Sequence, residues 1–180
     1  MKLGSTTELD SVDFRLLEVL QDDCRTSLAR LGEIVGLSAP SVLERVKKLE
    51  AGGVIAGYHA VIDARRVGLD VTAFIGVITS VPDRIGETEH DIGQLEDVLE
   101  VHHVTGEYSL LLKAKTANTS SLERLISRLR SLDGVARTET LVVLSTHTER
   151  TQIPLHPAVA EGNGRRSRRS TERNGRQRRA

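Results

Sequence analysis

The sequence predicts an α+β protein, an N-terminal helix-turn-helix domain followed by a C-terminal ferredoxin-like βαββαβ domain. Two patterns carry that prediction. From Leu9 to about Ile55 apolar residues recur at three- and four-residue steps, the period of helices packed through one face. From Val71 to about Thr148 the period changes in the order strand, helix, strand, strand, helix, strand. A third observation bounds both: 180 residues, 38% apolar and 28% charged, suffice for one large or two small globular domains.

In the first block Leu9, Leu16, Leu17 and Leu20, then Leu28, Leu31 and Val35, then Val42, Val46 and Leu49 mark three short helices. Ser11, Ser27 and Ser38 are placed to cap them, and Pro40 is tolerated because it falls in the first turn of the third. Gly36 breaks the second helix from the third, and Gly52-Gly53 stops the third. Val54 to Ile62 then reads as a β-prone connector, and Arg65 to Leu69 as a helical turn. The boundaries that follow are 8–55 for the helix-turn-helix domain, 56–70 for the connector and 71–150 for the second domain.

In that second block Val71 to Val81 is β-rich, and Pro82-Asp83 opens a helix through Ile85, Ile92 and Leu95. Strands are expected at Val98 to Val104 and Ser109 to Lys115, with Leu110, Leu112 and Ala114 on one face. Ser120 to Glu123 has the spacing of a capping box, and Leu122, Leu125, Ile126, Leu129 and Leu132 form the apolar stripe of the helix it opens. Gly134 ends that helix before a strand from Val135 to Thr148. Two helices on one face of a four-stranded antiparallel sheet leave the other face open. Phe74, Gly76 and Ile78 alternate there with Ala73, Ile75 and Val77, so a second subunit is expected to cover it.

Charge is unevenly spread. The 25 basic and 25 acidic residues cancel overall, yet residues 161–180 hold eight arginines against Glu161 and Glu172, a balance of +6. Without large apolar residues this segment reads as a disordered Arg-rich tail, either an interaction arm or an inert solvated extension. One cysteine, Cys24, excludes an internal disulfide, no apolar run spans a membrane, and a reducing, cytoplasmic setting is expected. Four aromatic residues leave little stacking platform for single-stranded nucleic acid, while duplex DNA remains open.

The segment Ser27 to Leu49 holds the densest functional signal. Gly32 is placed where two crossing helices would approach closely, Gly36 supplies the positive φ of the turn, and Leu31, Val35, Leu37, Val42 and Val46 face inward. Ser27 and the outer face Ser38, Ala39, Pro40, Ser41, Glu44, Arg45 and Lys48 are then the candidate DNA contacts, with Arg45 reaching guanine or phosphate. The alternative is a plain three-helix unit with solvated charges. Residues 1–62 hold seven basic and nine acidic side chains, so a strong basic footprint is absent.

Leu9-Asp10-x-x-Asp13, Val35-Gly-Leu-Ser38, Arg45-Val-x-x-Leu49-Glu50-x-x-Gly53-Val-Ile55-x-Gly57-Tyr58, Val104-Thr-Gly-Glu-Tyr108 and Thr138-Glu-Thr-Leu-Val-Val-Leu144 stand in one order. In these motifs the chain resembles the Lrp/AsnC (feast/famine) regulators over about residues 8 to 155. The resemblance implies a winged helix-turn-helix domain that binds double-stranded DNA, a connecting strand that pairs between subunits, and an effector-sensing second domain. It further implies a homodimer that assembles further, up to an octamer, and a small effector, usually an amino acid. The effector site it implies is Thr105, Gly106, Glu107, Tyr108 and Ser109 with Thr138, Glu139 and Thr140. Ser109, where many members carry Asp, resembles the asparagine-responsive branch, and the tail departs from the family pattern. A tight hairpin without ligand is the alternative for Thr105 to Tyr108.

No cofactor, metal site or enzyme is expected. Nothing near Cys24 supplies a base, and His102 and His103, adjacent on a strand, point to opposite faces. The competing function is an architectural DNA protein that bends duplex without small-molecule control, separable from a regulator by sequence preference.

Overall fold

The computed structural model describes residues 8–80 and 84–155. The chain forms two units, Met1–Ala60 with Arg150–Ala180, and Val61–Glu149. The expected tail at 161–180 lies outside the described residues, as do Val81, Pro82 and Asp83.

The first unit is built on three helices, α1 (Ser11–Asp22), α2 (Leu28–Val35) and α3 (Ala39–Ala51). Leu16, Leu31, Val42 and Val46 form its core, flanked by Val12, Val19, Leu20, Leu28, Val35, Leu37 and Ile55. Ser27 caps α2 and Ser38 caps α3, as their positions predict, with Pro40 in the first turn. The α1 cap is one residue earlier than expected. Asp10, not Ser11, accepts the Asp13 N–H at 2.9 Å, and Asp13 accepts the Asp10 N–H at 3.1 Å, an aspartate pair doing the work of a capping box. Gly36 closes α2 at φ 72°. A β-carbon at Gly32 would collide with the Leu37 carbonyl oxygen, so the close approach that glycine permits is onto the turn and not onto a crossing helix as expected.

Among the described residues no strand follows α3 in this unit, so neither a wing nor a connecting strand is formed within the chain at residues 52–63. A strand needs a partner edge, and Val61 and Ile62 stand 86% and 63% exposed without one. The chain re-enters the first unit at Arg150. There Gln21 of α1 binds the Ile153 backbone twice, accepting its N–H at 2.9 Å and donating to its carbonyl at 3.3 Å.

The second unit begins with a 3-10 turn at Ala64–Val67, close to the expected one, and continues as β1 (Val71–Thr79), α4 (Ile85–Gly93), β2 (Val98–His103), β3 (Leu110–Thr116), α5 (Thr119–Ser131) and β4 (Val135–Val142). The sheet order is β2-β3-β1-β4 with β1–β3, β1–β4 and β2–β3 antiparallel, the ferredoxin-like arrangement. Ala73, Ile75 and Val77 of β1 and Leu110, Leu112 and Ala114 of β3 pack against Ile92, Leu122, Leu125 and Leu129 of the helices.

Two boundaries moved. The α5 cap is Asn118, whose Oδ1 accepts the Ser121 N–H at 2.9 Å, so Ser120 and Glu123 are inside the helix rather than at its cap. β4 stops at Val142 instead of Thr148 because its partner runs out: Val142 pairs with Ala73, Val143 N–H reaches the Thr72 carbonyl at 2.9 Å, and β1 starts at Val71.

Candidate DNA-reading helix and effector site

On α3 the buried residues are Val42, Val46 and Leu49. Arg45 is three residues after Val42 and four before Leu49, which puts it at the border of the buried stripe rather than on the outer face expected for it. Its Nη1 donates to Asp10 Oδ2 at 2.8 Å and Asp13 Oδ1 at 2.7 Å, and the Asp13 side chain is 5% exposed. The Asp10 hydrogen bond, then that of Asp13, raises the Arg45 pKa further above its ordinary value. The Asp13 backbone N–H, and after it Arg45, hold Asp10 below the usual carboxylate range despite an opposing cost of burial. Arg45 therefore fastens α3 to the start of α1.

The face of α3 that is open carries Pro40, Leu43, Glu44, Lys47 and Lys48. Lys47 was not among the residues expected there. Counting from Leu49 and Val46 would have found it, because position 47 lies seven residues from Pro40 and three from Glu44 on the same side. The remaining expected contacts divide. Ser27 Oγ is used in accepting the Arg30 N–H at 3.2 Å, Ser38 and Ser41 hydroxyls bond each other at 2.9 Å, and Ala39 is half-buried. Ser38 and Pro40 are exposed at the first turn, where the positive end of the helix favours a phosphate, although Pro40 has no N–H and the Ser41 N–H is taken by Ser38 Oγ.

In the second unit the open sheet face gathers part of the expected effector set. Register places Gly76 of β1 between Leu111 of β3 and Glu139 of β4. The Tyr108 ring lies directly on Gly76, since a β-carbon there would come within 2.5 to 2.7 Å of three ring carbons. Desolvation, followed by the neighbouring Glu139 carboxylate, raises the Tyr108 pKa. Arg137, two residues along the same face, pairs with Glu139 at 3.6 Å. Tyr108, Glu139 and Arg137 thus form one polar cluster over a floor of glycine backbone. Arg137 was missed because its motif begins at Thr138, yet the period of two puts it beside Glu139.

Other members of the expected set are elsewhere. Thr138 pairs with Val77 on the helix-covered face and its Oγ1 accepts from Arg130 Nε at 2.9 Å, so it does not face the cluster; Thr140, pairing with Ile75, shares that face. Strand alternation is the reason: in Thr138-Glu139-Thr140 only the middle residue can face Tyr108. Ser109 Oγ accepts from the Thr79 N–H at 3.3 Å and hydroxyl at 3.0 Å, tying the end of β1 to the start of β3. Thr105, Gly106 and Glu107 are exposed in the preceding turn, with Gly106 at φ 121°.

Among the described residues no group of three His, Cys, Asp or Glu side chains could hold a metal ion, and no helix is long and apolar enough to cross a membrane. Residues 9–50 match the AsnC-type helix-turn-helix domain and residues 72–153 the Lrp/AsnC ligand binding domain. The HTH-type transcriptional regulator FL11 of Pyrococcus abyssi is 33% identical over 147 residues, 82% of this chain and 97% of that protein. The structure of Escherichia coli AsnC superposes with a TM-score of 0.76 at 31% identity, over 81% of this chain and 99% of that one. A feast or famine regulatory protein from Mycobacterium tuberculosis, complexed with L-methionine, gives 0.76 at 32% identity, over 81% and 98%.

Proposed function

The chain belongs to the Lrp/AsnC family of transcriptional regulators, and from that premise we propose that it reads duplex DNA with the open face of α3 and adjusts its occupancy to a free amino acid held at the Tyr108, Arg137 and Glu139 cluster. It is a regulator and not an enzyme. The observation that carries the DNA reading is the exposed row Pro40, Glu44, Lys47 and Lys48 on a helix that is capped, buried on its other side and fastened by Arg45. Lys47 and Lys48 supply the positive charge, and the Ser38 end adds the positive pole of the helix dipole.

For the second site, a free amino acid presents a carboxylate and an ammonium. Arg137 complements the first and Glu139 the second, while the Tyr108 ring offers an apolar wall above Gly76. The L-methionine bound by the Mycobacterium tuberculosis relative supports an amino acid as the ligand class. Phe74 and Leu141, 37% and 54% exposed on the open sheet face, fit a homodimer packed through that face, and further assembly up to an octamer follows the family. A regulator of this kind works in the cytoplasm.

Lys47→Ala tests the reading of α3. It should leave the melting temperature unchanged while weakening binding to a specific duplex by about 1 to 3 kcal/mol; full affinity would remove α3 as the reader. Calorimetric titration with a panel of L-amino acids should detect one that binds the parent chain and not Tyr108→Ala.

A further inference from the structure

We infer that Glu44 is the base-selecting residue of α3, and that its carboxylate accepts from the N4 amino group of a cytosine in the major groove. The inference rests on the reading of DNA by α3 proposed above and adds to it the base that is chosen. Three observations carry it. The first is direction. Val42 and Val46 are 0% and 8% exposed, and Glu44 stands two residues from each, about 200° around an α-helix. Glu44 therefore points away from the core at the middle of the open face, where it is exposed. A helix that enters the groove by this face puts Glu44 against the base edges.

The second is what flanks it. Lys47 and Lys48 are exposed on either side of Glu44, about 60° one way and about 40° the other. That arrangement sets a cation toward each wall of the groove, where the phosphate strands run, and a carboxylate between them. Phosphates repel a carboxylate, so the central position is the one from which it can contribute to binding.

The third is that the carboxylate is not committed within the protein. Arg15–Glu18, Arg30–Glu33 and Arg84–Glu87 close ion pairs across three residues, the spacing that separates Glu44 from Lys47, yet among the described residues Glu44 joins no ion pair. Its neighbour Arg45 donates to Asp10 and Asp13 instead. An ionised carboxylate only accepts hydrogen bonds. In the major groove guanine offers two acceptors, thymine one, and adenine a donor beside an acceptor, whereas cytosine offers a donor with no acceptor of its own. Glu44 is thus attracted by cytosine and opposed by the acceptors of the other three bases.

The test begins with enrichment of random-sequence duplexes on the full chain, on Glu44→Ala and on Lys47→Ala. Alanine is the best helix former and position 44 is exposed, so α3 stays folded in the first variant, which circular dichroism checks. The parent should enrich a site with a C·G pair that Glu44→Ala no longer selects, the other positions being kept. Anisotropy then compares the enriched duplex with one in which that cytosine is replaced by pyrimidin-2-one, which lacks the N4 amino group. The parent should lose about tenfold in affinity, and Glu44→Ala should bind the two duplexes alike. One enriched sequence shared by the parent and Glu44→Ala at every position would overturn the inference. An equal loss in both proteins on removal of the amino group would overturn it too. Failure of the α3 reading is distinct: Lys47→Ala would then hold the enriched duplex as tightly as the parent, whereas a wrong base assignment leaves Lys47→Ala weakened and the amino group without effect.

Discussion

Arg45 and Lys47 stand two residues apart on α3 and have opposite surroundings. Arg45 lies between Val42 and Leu49 and its guanidinium is held by Asp10 and by Asp13, whose carboxylate is buried. Lys47 meets solvent. Removing Arg45 strands a buried carboxylate, so Arg45→Ala should lower the stability of the first unit by about 1 to 3 kcal/mol, less than a fully buried pair because a third of the arginine is exposed. Chemical denaturation followed by circular dichroism measures it, and an unchanged midpoint would return Arg45 to the outer face. Gly76 is the corresponding residue in the second unit. Gly76→Ala puts a methyl group where the Tyr108 ring now lies and should abolish the amino-acid response while the sheet still folds; a response equal to that of the parent would separate Tyr108 from the ligand.

At the scale of elements, each helix and each strand was legible as an element because each shows an apolar period. Leu122, Leu125 and Leu129 alone determine the buried side of α5. What the period does not encode is where an element ends. Asp10 and Asn118 took the caps that Ser11 and Ser120 were expected to hold, since several neighbouring residues offer a suitable oxygen and the backbone decides among them. The end of β4 depended on the start of β1, where Val142 pairs with the sequence-distant Ala73, which no local pattern records. The effector site was legible as a motif and only half legible as a geometry. Contiguous residues such as Thr138 and Glu139 appear as one signal in the sequence but occupy opposite faces of a strand. The α1 cap also sets a pH dependence. Asp10 is held below its ordinary pKa, chiefly by the Asp13 N–H and then by Arg45, so its contribution is complete above that ordinary range and is lost as pH falls through the lowered value. Melting of the parent should therefore drop more steeply below about pH 4 than that of Asp10→Asn, which keeps a cap without the titrating charge. Parallel curves would show that Asp10 contributes nothing through its charge.

The whole molecule is a reader joined to a sensor, and its units divide the chemistry cleanly. One presents an open helix face; the other presents a sheet with one face under helices and one face open, the latter carrying Tyr108, Arg137 and Glu139. For an amino acid to change DNA occupancy it must bind two arrangements of the assembly unequally, and the size of that difference caps the response. A covered open face would give each dimer two such sensors. The most direct measurement is the affinity of the chain ending at Ala160, which lacks the arginines of residues 161–180, for duplex from upstream of its own gene against a scrambled duplex, near physiological salt. A sequence-specific regulator should prefer the first by roughly a thousandfold or more. Equal, weak binding to both would contradict reading by α3 and leave a protein that holds DNA only through its charge.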